Sequence, residues 1–309
     1  MKPPMTYFGG KIRIAPQIVD LMPAHGHYVE PYCGSLAVLL AKPPAPHETV
    51  NDLDKSLMTF WRVLRDQPDG LRRACELTPH SRSEHAAAYE QGDDLGDVEI
   101  ARRVWVQLTQ GRAGLRSATG WRHYQDPSRS TGSMPDYLDG YLARMAPAAQ
   151  RLRSVSLECR PALDVVADYG RHPEVLLYVD PPYLGSTRSS GGYVHEMRGD
   201  TEHADLLSAL LTCKASVVLS GYPSDLYDST LVDGAGWDRA EIATATGQGG
   251  EVGLGLVDPA RGEQDLTADP ERVGVEVEVV GQRHQGQRGV QFTDGPFVVP
   301  TRRCDQALG

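Results

Sequence analysis

The chain has 309 residues, 40% hydrophobic and 23% charged. That is ample for one large domain or two modest ones and too apolar for wholesale disorder. No apolar run approaches the ~18 residues of a membrane span. The five scattered cysteines (Cys33, Cys75, Cys159, Cys213, Cys304) show no C-x-x-C pair, so neither a zinc site nor a disulfide framework is expected and the compartment reads as reduced and cytoplasmic. The formal net charge of −10 argues against a polyanionic partner only if the charge is spread evenly.

Met1 to Thr6 lacks the charged-then-apolar pattern of a signal peptide. Tyr7-Phe8-Gly9-Gly10-Lys11 then sets an aromatic and a cation around a glycine pair. Lys11 can pair with a cofactor carboxylate while Tyr7 packs near an adenine or sulfonium. The phosphate-loop reading is poor, because the full G-x-x-x-x-G-K-S/T is absent.

The first apolar run, His27-Tyr28-Val29, leads into Glu30-Pro31-Tyr32-Cys33-Gly34-Ser35 and a helix over Leu36–Ala41 that Pro43-Pro44 stops. Gly34 and Ser35 let backbone approach a cofactor closely. Cys33 has no adjoining base and reads as a small residue rather than a nucleophile. A second run, Glu48-Thr49-Val50, ends in Asn51-Asp52-Leu53-Asp54 before a helix around Leu57 to Leu64. An acid after a second strand can accept hydrogen bonds from ribose hydroxyls; equally, Asp52 or Asp54 can cap that helix.

Residues 65–160 have another texture. Ile100, Val104 and Leu108, then Tyr137, Tyr141 and Met145, recur at helical spacing, and Gly, Ser and Thr cluster over 111–133 as loops. Residues 101–160 hold ten arginines against four acids, a surplus of six, so the rest of the chain sums to −16. This stretch is expected to be a helical insertion offering a basic surface, with Arg112, Arg116, Arg122 and Arg129 as candidate DNA contacts; a solvated face that favours arginine is the plainer alternative.

The third run, Val175–Val179, ends in Asp180-Pro181-Pro182-Tyr183, and a fourth, Ser216–Leu219, in Ser220-Gly221-Tyr222. Unalternating aliphatic runs suit strands buried on both faces of a parallel sheet, whose ligands gather beyond the strands' carboxyl ends. An exocyclic amine on a heteroaromatic ring is a poor nucleophile because its lone pair is delocalised. A carboxylate and a proline-constrained carbonyl can accept its two N–H bonds and aim the lone pair at a methyl donor. Tyr183 can stack on a base turned out of the duplex. A plain strand-ending turn remains open for these four residues. Beyond residue 255 the chain becomes polar and glycine-rich and is read as a weakly ordered tail, with only Val273–Val280 alternating like a strand.

Taken in order, Tyr7 to Lys11, Glu30 to Ser35, Asn51 to Asp54 and Asp180 to Tyr183 resemble the motifs of the Dam-type DNA adenine methylase family. The resemblance runs through Phe60–Asp66 and Ser220-Gly221-Tyr222 and covers roughly residues 5–225. It implies a Rossmann-like α/β S-adenosylmethionine-dependent sheet carrying a helical target-recognition insertion, and transfer of methyl to N6 of adenine in double-stranded DNA. Tyr7, Lys11, Glu30, Pro31, Gly34, Asp52 and Asp180 then hold S-adenosylmethionine, and Asp180, Pro181, Pro182 and Tyr183 receive the adenine. The expected division is 1–64 and 161–255 for the catalytic domain, 65–160 for the insertion and 256–309 for the tail, in a monomer or weak dimer without metal or membrane.

The departures are specific. Tyr7 stands where the family most often has tryptophan, and Gln110–Gly114 only loosely resembles the family's Asn- and Phe-rich loop. Glu251-Val252 open the family's closing motif, but Gly253–Asp258 do not continue it. Codons typical of a GC-rich gene for Leu256–Pro259, read one base later, give Trp-Ser-Thr, which suggests an altered reading frame. N4-cytosine methylation is the nearest rival, although that group more often carries serine at the position of Asp180. A catalytically weak DNA-binding module of the same fold is the alternative from another class. A small-molecule methyltransferase would leave the basic insertion unexplained.

Overall fold

The computed structural model describes residues 1–90, 92, 94–123, 133–183, 197, 199–221, 224–235, 237–245 and 274–281. Seven strands form one sheet in the order β3-β2-β1-β4-β5-β7-β6. They are β1 His27–Glu30, β2 His47–Asn51, β3 Val155–Glu158, β4 Val175–Val179, β5 Ser216–Gly221, β6 Asp238–Ala245 and β7 Gly274–Gly281. The first five run parallel, with Val29 opposite both Thr49 and Leu177. β7 pairs antiparallel with β5 and β6. One strand, β3, falls inside the 65–160 stretch, where the sequence showed none, and β7 forms where Val273–Val280 alternate like a strand. Residues 246–273 and 282–309, which include Gly253–Pro259 and most of that tail, lie outside the described residues.

The runs without polar alternation become strands because both faces are covered. All five residues of β4 are buried. Leu176 and Tyr178 join one core with Tyr28, Val50 and Val218, while Leu177 and Val179 join the other with Val29, Val217 and Leu219. The two-residue period of the strand sorts the side chains between the layers. On the first face lie α1 Ala15–Asp20, α2 Ala37–Ala41, α3 Lys55–Asp66, α4 Pro68–Glu76, α6 Asp97–Gln110 and α7 Met134–Leu152, with α5 Arg82–Ala87 beside α6. The second face carries α8 Ala162–Tyr169 and α9 Asp200–Leu211. A large side chain moved fully out of water contributes about 1.5–3 kcal/mol, so Phe60, Trp61 and Leu64 on α3 and Trp105 and Leu108 on α6, all fully buried, anchor the insertion to the sheet.

Much of the arginine surplus is neutralised locally. Arg102 and Arg103 pair with Glu99, and Arg102 also with Glu84. Arg160 pairs with Glu158 and Asp168. Arg151 reaches from α7 to Glu48 of β2, which also binds Lys42 at 2.7 Å in a buried triad. Among the described residues no helix is long and apolar enough to cross a membrane, and no group of three or more His, Cys, Asp or Glu is arranged to hold a metal.

Candidate active site

The strand order reverses direction of growth between β1 and β4, and the crevice of an open α/β sheet lies beyond the carboxyl ends at such a point. Glu30 ends β1 and Asp180 follows β4. A cavity of about 580 Å³ opens there, inside the roughly 300–1,000 Å³ range of small-molecule sites. Tyr7, Lys11, Glu30, Pro31, Gly34, Asp52 and Asp180, all expected to hold a cofactor, line this one cavity, as does Pro182.

Asp180 is fixed from two sides. Lys11 Nζ donates to its Oδ2 at 2.5 Å and the Ser220 hydroxyl to its Oδ1 at 2.7 Å. Ser220 comes from the neighbouring β5 and is itself in contact with the Tyr178 hydroxyl at 3.2 Å. Lys11 also donates to the Gly9 carbonyl and lies 5.0 Å from the centre of the Tyr183 ring. Burial pulls the Lys11 pKa down and the Asp180 charge pushes back. Pro181 and Tyr183 continue the turn and are buried.

Glu30 is 1% exposed. Burial pushes its carboxyl up to about 8, against the Tyr28 hydroxyl and the Leu39 amide that both donate to Oε1. Gly34 sits at φ +45°, and a Cβ there would lie 2.9 Å from Cε1 of the Tyr7 ring, so the two motifs pack face to face only because residue 34 has no side chain. The Gly34 carbonyl accepts from Trp61 Nε1 at 3.0 Å, which ties the loop to α3. Burial pushes the Cys33 thiol up, with Asp52 adding to the effect, in keeping with a packed residue rather than a nucleophile.

The two readings of the Asn51–Asp54 motif separate. Asp54 is the N-cap of α3, accepting from the Ser56 and Leu57 amides. Asp52 instead spans the site: Oδ1 accepts from the Asp54 amide and Oδ2 from the Gly34 amide, both at 3.0 Å. Asn51, fully buried, bonds the Pro31 carbonyl and both the amide and carbonyl of Arg160, fastening the loops after β1 and β3 together.

The four candidate DNA contacts do not act alike. Arg112 is exposed on a hairpin whose strands meet at Gly111 and Trp121. Arg122 is half-buried with its guanidinium 4.3 Å from the Tyr137 ring centre. Arg116 turns inward: Nε donates to Asp54 Oδ2 at 2.9 Å, and the pair is 11% and 8% exposed. Arg129 lies outside the described residues. Sequence reasoning gave no role to Ser220, Asn51 or Asp54's cation, nor to Glu202 and Asp205 of α9, which also line the cavity. The place of Ser220 near the end of an apolar run and within the family resemblance is the signal that points to it; the α9 carboxylates carry no local signal.

Five carboxylates line the cavity, Asp52, Asp54, Asp180, Glu202 and Asp205, beside the Glu30 carboxyl that burial favours in its protonated form; Asp54 is paired with Arg116 and Asp180 with Lys11. Such a wall suits an occupant that brings positive charge. A model of the family described as D12 class N6 adenine-specific DNA methyltransferase matches residues 7–241. The type II methyltransferase M1.LlaDCHI of Lactococcus lactis subsp. cremoris is 25% identical over 215 residues, 63% of this chain and 71% of its own length. A crystal structure of precorrin 8w decarboxylase from Methanobacterium thermoautotrophicum superposes on 92% of this chain and 96% of its own, but the TM-score of 0.39 and 9% identity carry no argument.

Proposed function

This chain belongs to the D12 class of N6 adenine-specific DNA methyltransferases, and from that premise we propose that the cavity at the ends of β1, β2 and β4 holds S-adenosylmethionine beside an adenine turned out of duplex DNA. The reaction is methylation of adenine N6 in DNA, which sets aside the N4-cytosine alternative. S-adenosylmethionine supplies an electrophilic methyl group on a cationic sulfonium. The size of the cavity and its acidic wall fit such a donor. Asp52 and the Gly34 backbone are positioned for the nucleoside half, with the Tyr7 ring beneath Gly34; Lys11 and Glu30 flank the charged half.

Asp180 accepts an N6–H bond of the adenine and draws the nitrogen out of conjugation with the ring. Lys11 and Ser220 fix one oxygen each, so the carboxylate is aligned before substrate arrives and does not reorganise during the reaction. The same carboxylate can take the proton shed as the new C–N bond completes. Two consecutive prolines hold the turn and contribute no competing N–H. The hairpin bearing Arg112, with Arg122 at its base, contacts the phosphate backbone, so binding weakens with salt.

The observation that carries this reading is the meeting of Asp180, Glu30 and Asp52 in one cavity. Incubation with unmethylated DNA and methyl-labelled S-adenosylmethionine tests it. Label should appear on adenine N6 and vanish in Asp180→Ala while DNA binding persists. Full transfer by Asp180→Ala overturns the assignment.

A further inference from the structure

Arg116 belongs to the hairpin that closes α6, in which Arg112 N donates to Gly120 O at 3.1 Å and Arg122 N to Gln110 O at 2.7 Å. This hairpin is fastened to the wall of the cavity at two places. The first is a backbone contact: Phe8 N donates to Gly114 O at 2.9 Å. Gly114 has φ +65°, and a Cβ there would stand 3.0 Å from Tyr7 N, so the hairpin rests directly on the Tyr7–Lys11 segment.

The second place is the Arg116–Asp54 ion pair. Asp54 uses its other oxygen to cap α3 and its amide to hold Asp52, and Asp52 holds Gly34. Arg116 also donates to Gln107 of α6. An unbroken series of polar contacts therefore leads from the hairpin through Asp54 and Asp52 to the Gly34 loop. Withdrawing the guanidinium toward a phosphate would leave the poorly exposed Asp54 carboxylate without its counter-ion, which is costly.

We propose that Arg116 is a positioning residue that couples the DNA-bearing hairpin to the methyl-donor pocket, so that DNA and donor each strengthen the binding of the other. The inference rests on the reading of the cavity as the donor site. Binding linkage is reciprocal, so the effect can be read from either ligand. DNA held by the hairpin restricts the frame from which Arg116 acts; that holds Asp54 and Asp52 in the arrangement the donor needs. Arg116 touches neither ligand in this account.

The test is equilibrium dialysis of labelled S-adenosylhomocysteine, the unreactive demethylated donor, with and without saturating unmethylated plasmid DNA. The protein is compared with Arg116→Ala, Arg116→Gln and Arg116→Lys, each checked by circular dichroism to be folded at the assay temperature, with and without DNA. In the parent protein DNA should raise affinity about fivefold or more. Arg116→Ala and Arg116→Gln should lose that gain, Arg116→Lys should keep part of it, and the salt slope of DNA binding should stay unchanged. Retention of the gain in Arg116→Gln overturns the proposal, as does a salt slope lower by about one, the signature of a lost phosphate contact. If the parent protein binds no S-adenosylhomocysteine, the reading of the cavity fails and the coupling with it. Binding that DNA does not alter overturns the coupling alone.

Discussion

Lys11 Nζ lies 2.5 Å from Asp180 Oδ2 although 169 residues separate them in the chain. The ammonium is 2% exposed and the carboxylate 18%. Burial pulls the lysine pKa down, and the charge and hydrogen bond of Asp180 oppose that shift. The two motifs at opposite ends of the catalytic region are thus one electrostatic unit. Asp180→Asn keeps one amide oxygen as an acceptor but removes the negative charge, the basic oxygen that can take the amine proton and the counter-ion for Lys11. Methyl transfer should fall about 10²–10⁴-fold, the range seen when a preorganised polar group or a proton-transfer partner is lost. Single-turnover transfer of label measures it, and a loss under tenfold would remove Asp180 from the chemistry.

Ser220→Ala leaves Asp180 held by Lys11 alone. A hydrogen bond to a charged group contributes about 1.5–3 kcal/mol, part of which is expressed in orientation. We expect kcat to drop about tenfold with the donor KM little changed. An equal rise in KM with constant kcat would show instead that Ser220 acts on binding.

Gly34→Ala forces a side chain onto backbone at φ +45° and to within 2.9 Å of the Tyr7 ring. Left-handed backbone costs an ordinary residue roughly 1–2 kcal/mol, and the ring must also move. Donor affinity should weaken at least tenfold by equilibrium dialysis, with DNA affinity measured without donor unaltered. Parental donor affinity in this variant would show that the Gly34 loop is not part of the donor site.

Glu30 gives a pH dependence whose sign follows from burial. Its carboxyl is raised to about 8 in the fold, above the ordinary carboxylate value, so the protonated form is favoured by folding. Its contribution is complete below the unfolded pKa and is lost as pH rises toward about 8. Urea midpoints at pH 5, 6, 7 and 8 should fall more steeply for the parent protein than for Glu30→Gln. Parallel curves would mean that Glu30 does not titrate in this range.

The Glu48 carboxylate responds in the opposite direction. Burial opposes its ionisation, but Arg151 and Lys42 outweigh burial and hold it below the ordinary range. Its stabilisation is present above the unfolded pKa and lost as pH falls through the lowered folded value. Glu48→Gln leaves Arg151 and Lys42 without their shared partner and should destabilise by about 3–5 kcal/mol at pH 7. A change below 1 kcal/mol in urea unfolding at that pH would show that the triad is not structural.

Some of this architecture is written locally along the chain. The strands at Val175–Val179 and Ser216–Gly221 are legible as short aliphatic runs closed by turn residues, and those at His27–Glu30 and His47–Asn51 through the motif loops that follow them. β3 was hidden: Val155-Ser156-Leu157-Glu158 has one buried residue, Val155, since it lies at the sheet edge, so its pattern is that of a surface segment. The basic block is legible as composition, but which of its arginines turn inward is not, because sequence shows an arginine and not the acid opposite it. Arg116 with Asp54 and Arg151 with Glu48 meet across 62 and 103 residues.

The motif residues and their order could be known without a fold, because backbone turns, cofactor loops and the Asp-Pro-Pro-Tyr corner are made by neighbours in the chain. Which oxygen of Asp180 meets Lys11 and which meets Ser220, and whether Asp52 or Asp54 caps the helix, depended on strands coming side by side. Parallel pairing joins residues far apart in sequence and orients each side chain through the register of its partners. That long-range register, and the burial it creates, converts scattered carboxylates into a single pocket with one aligned acceptor.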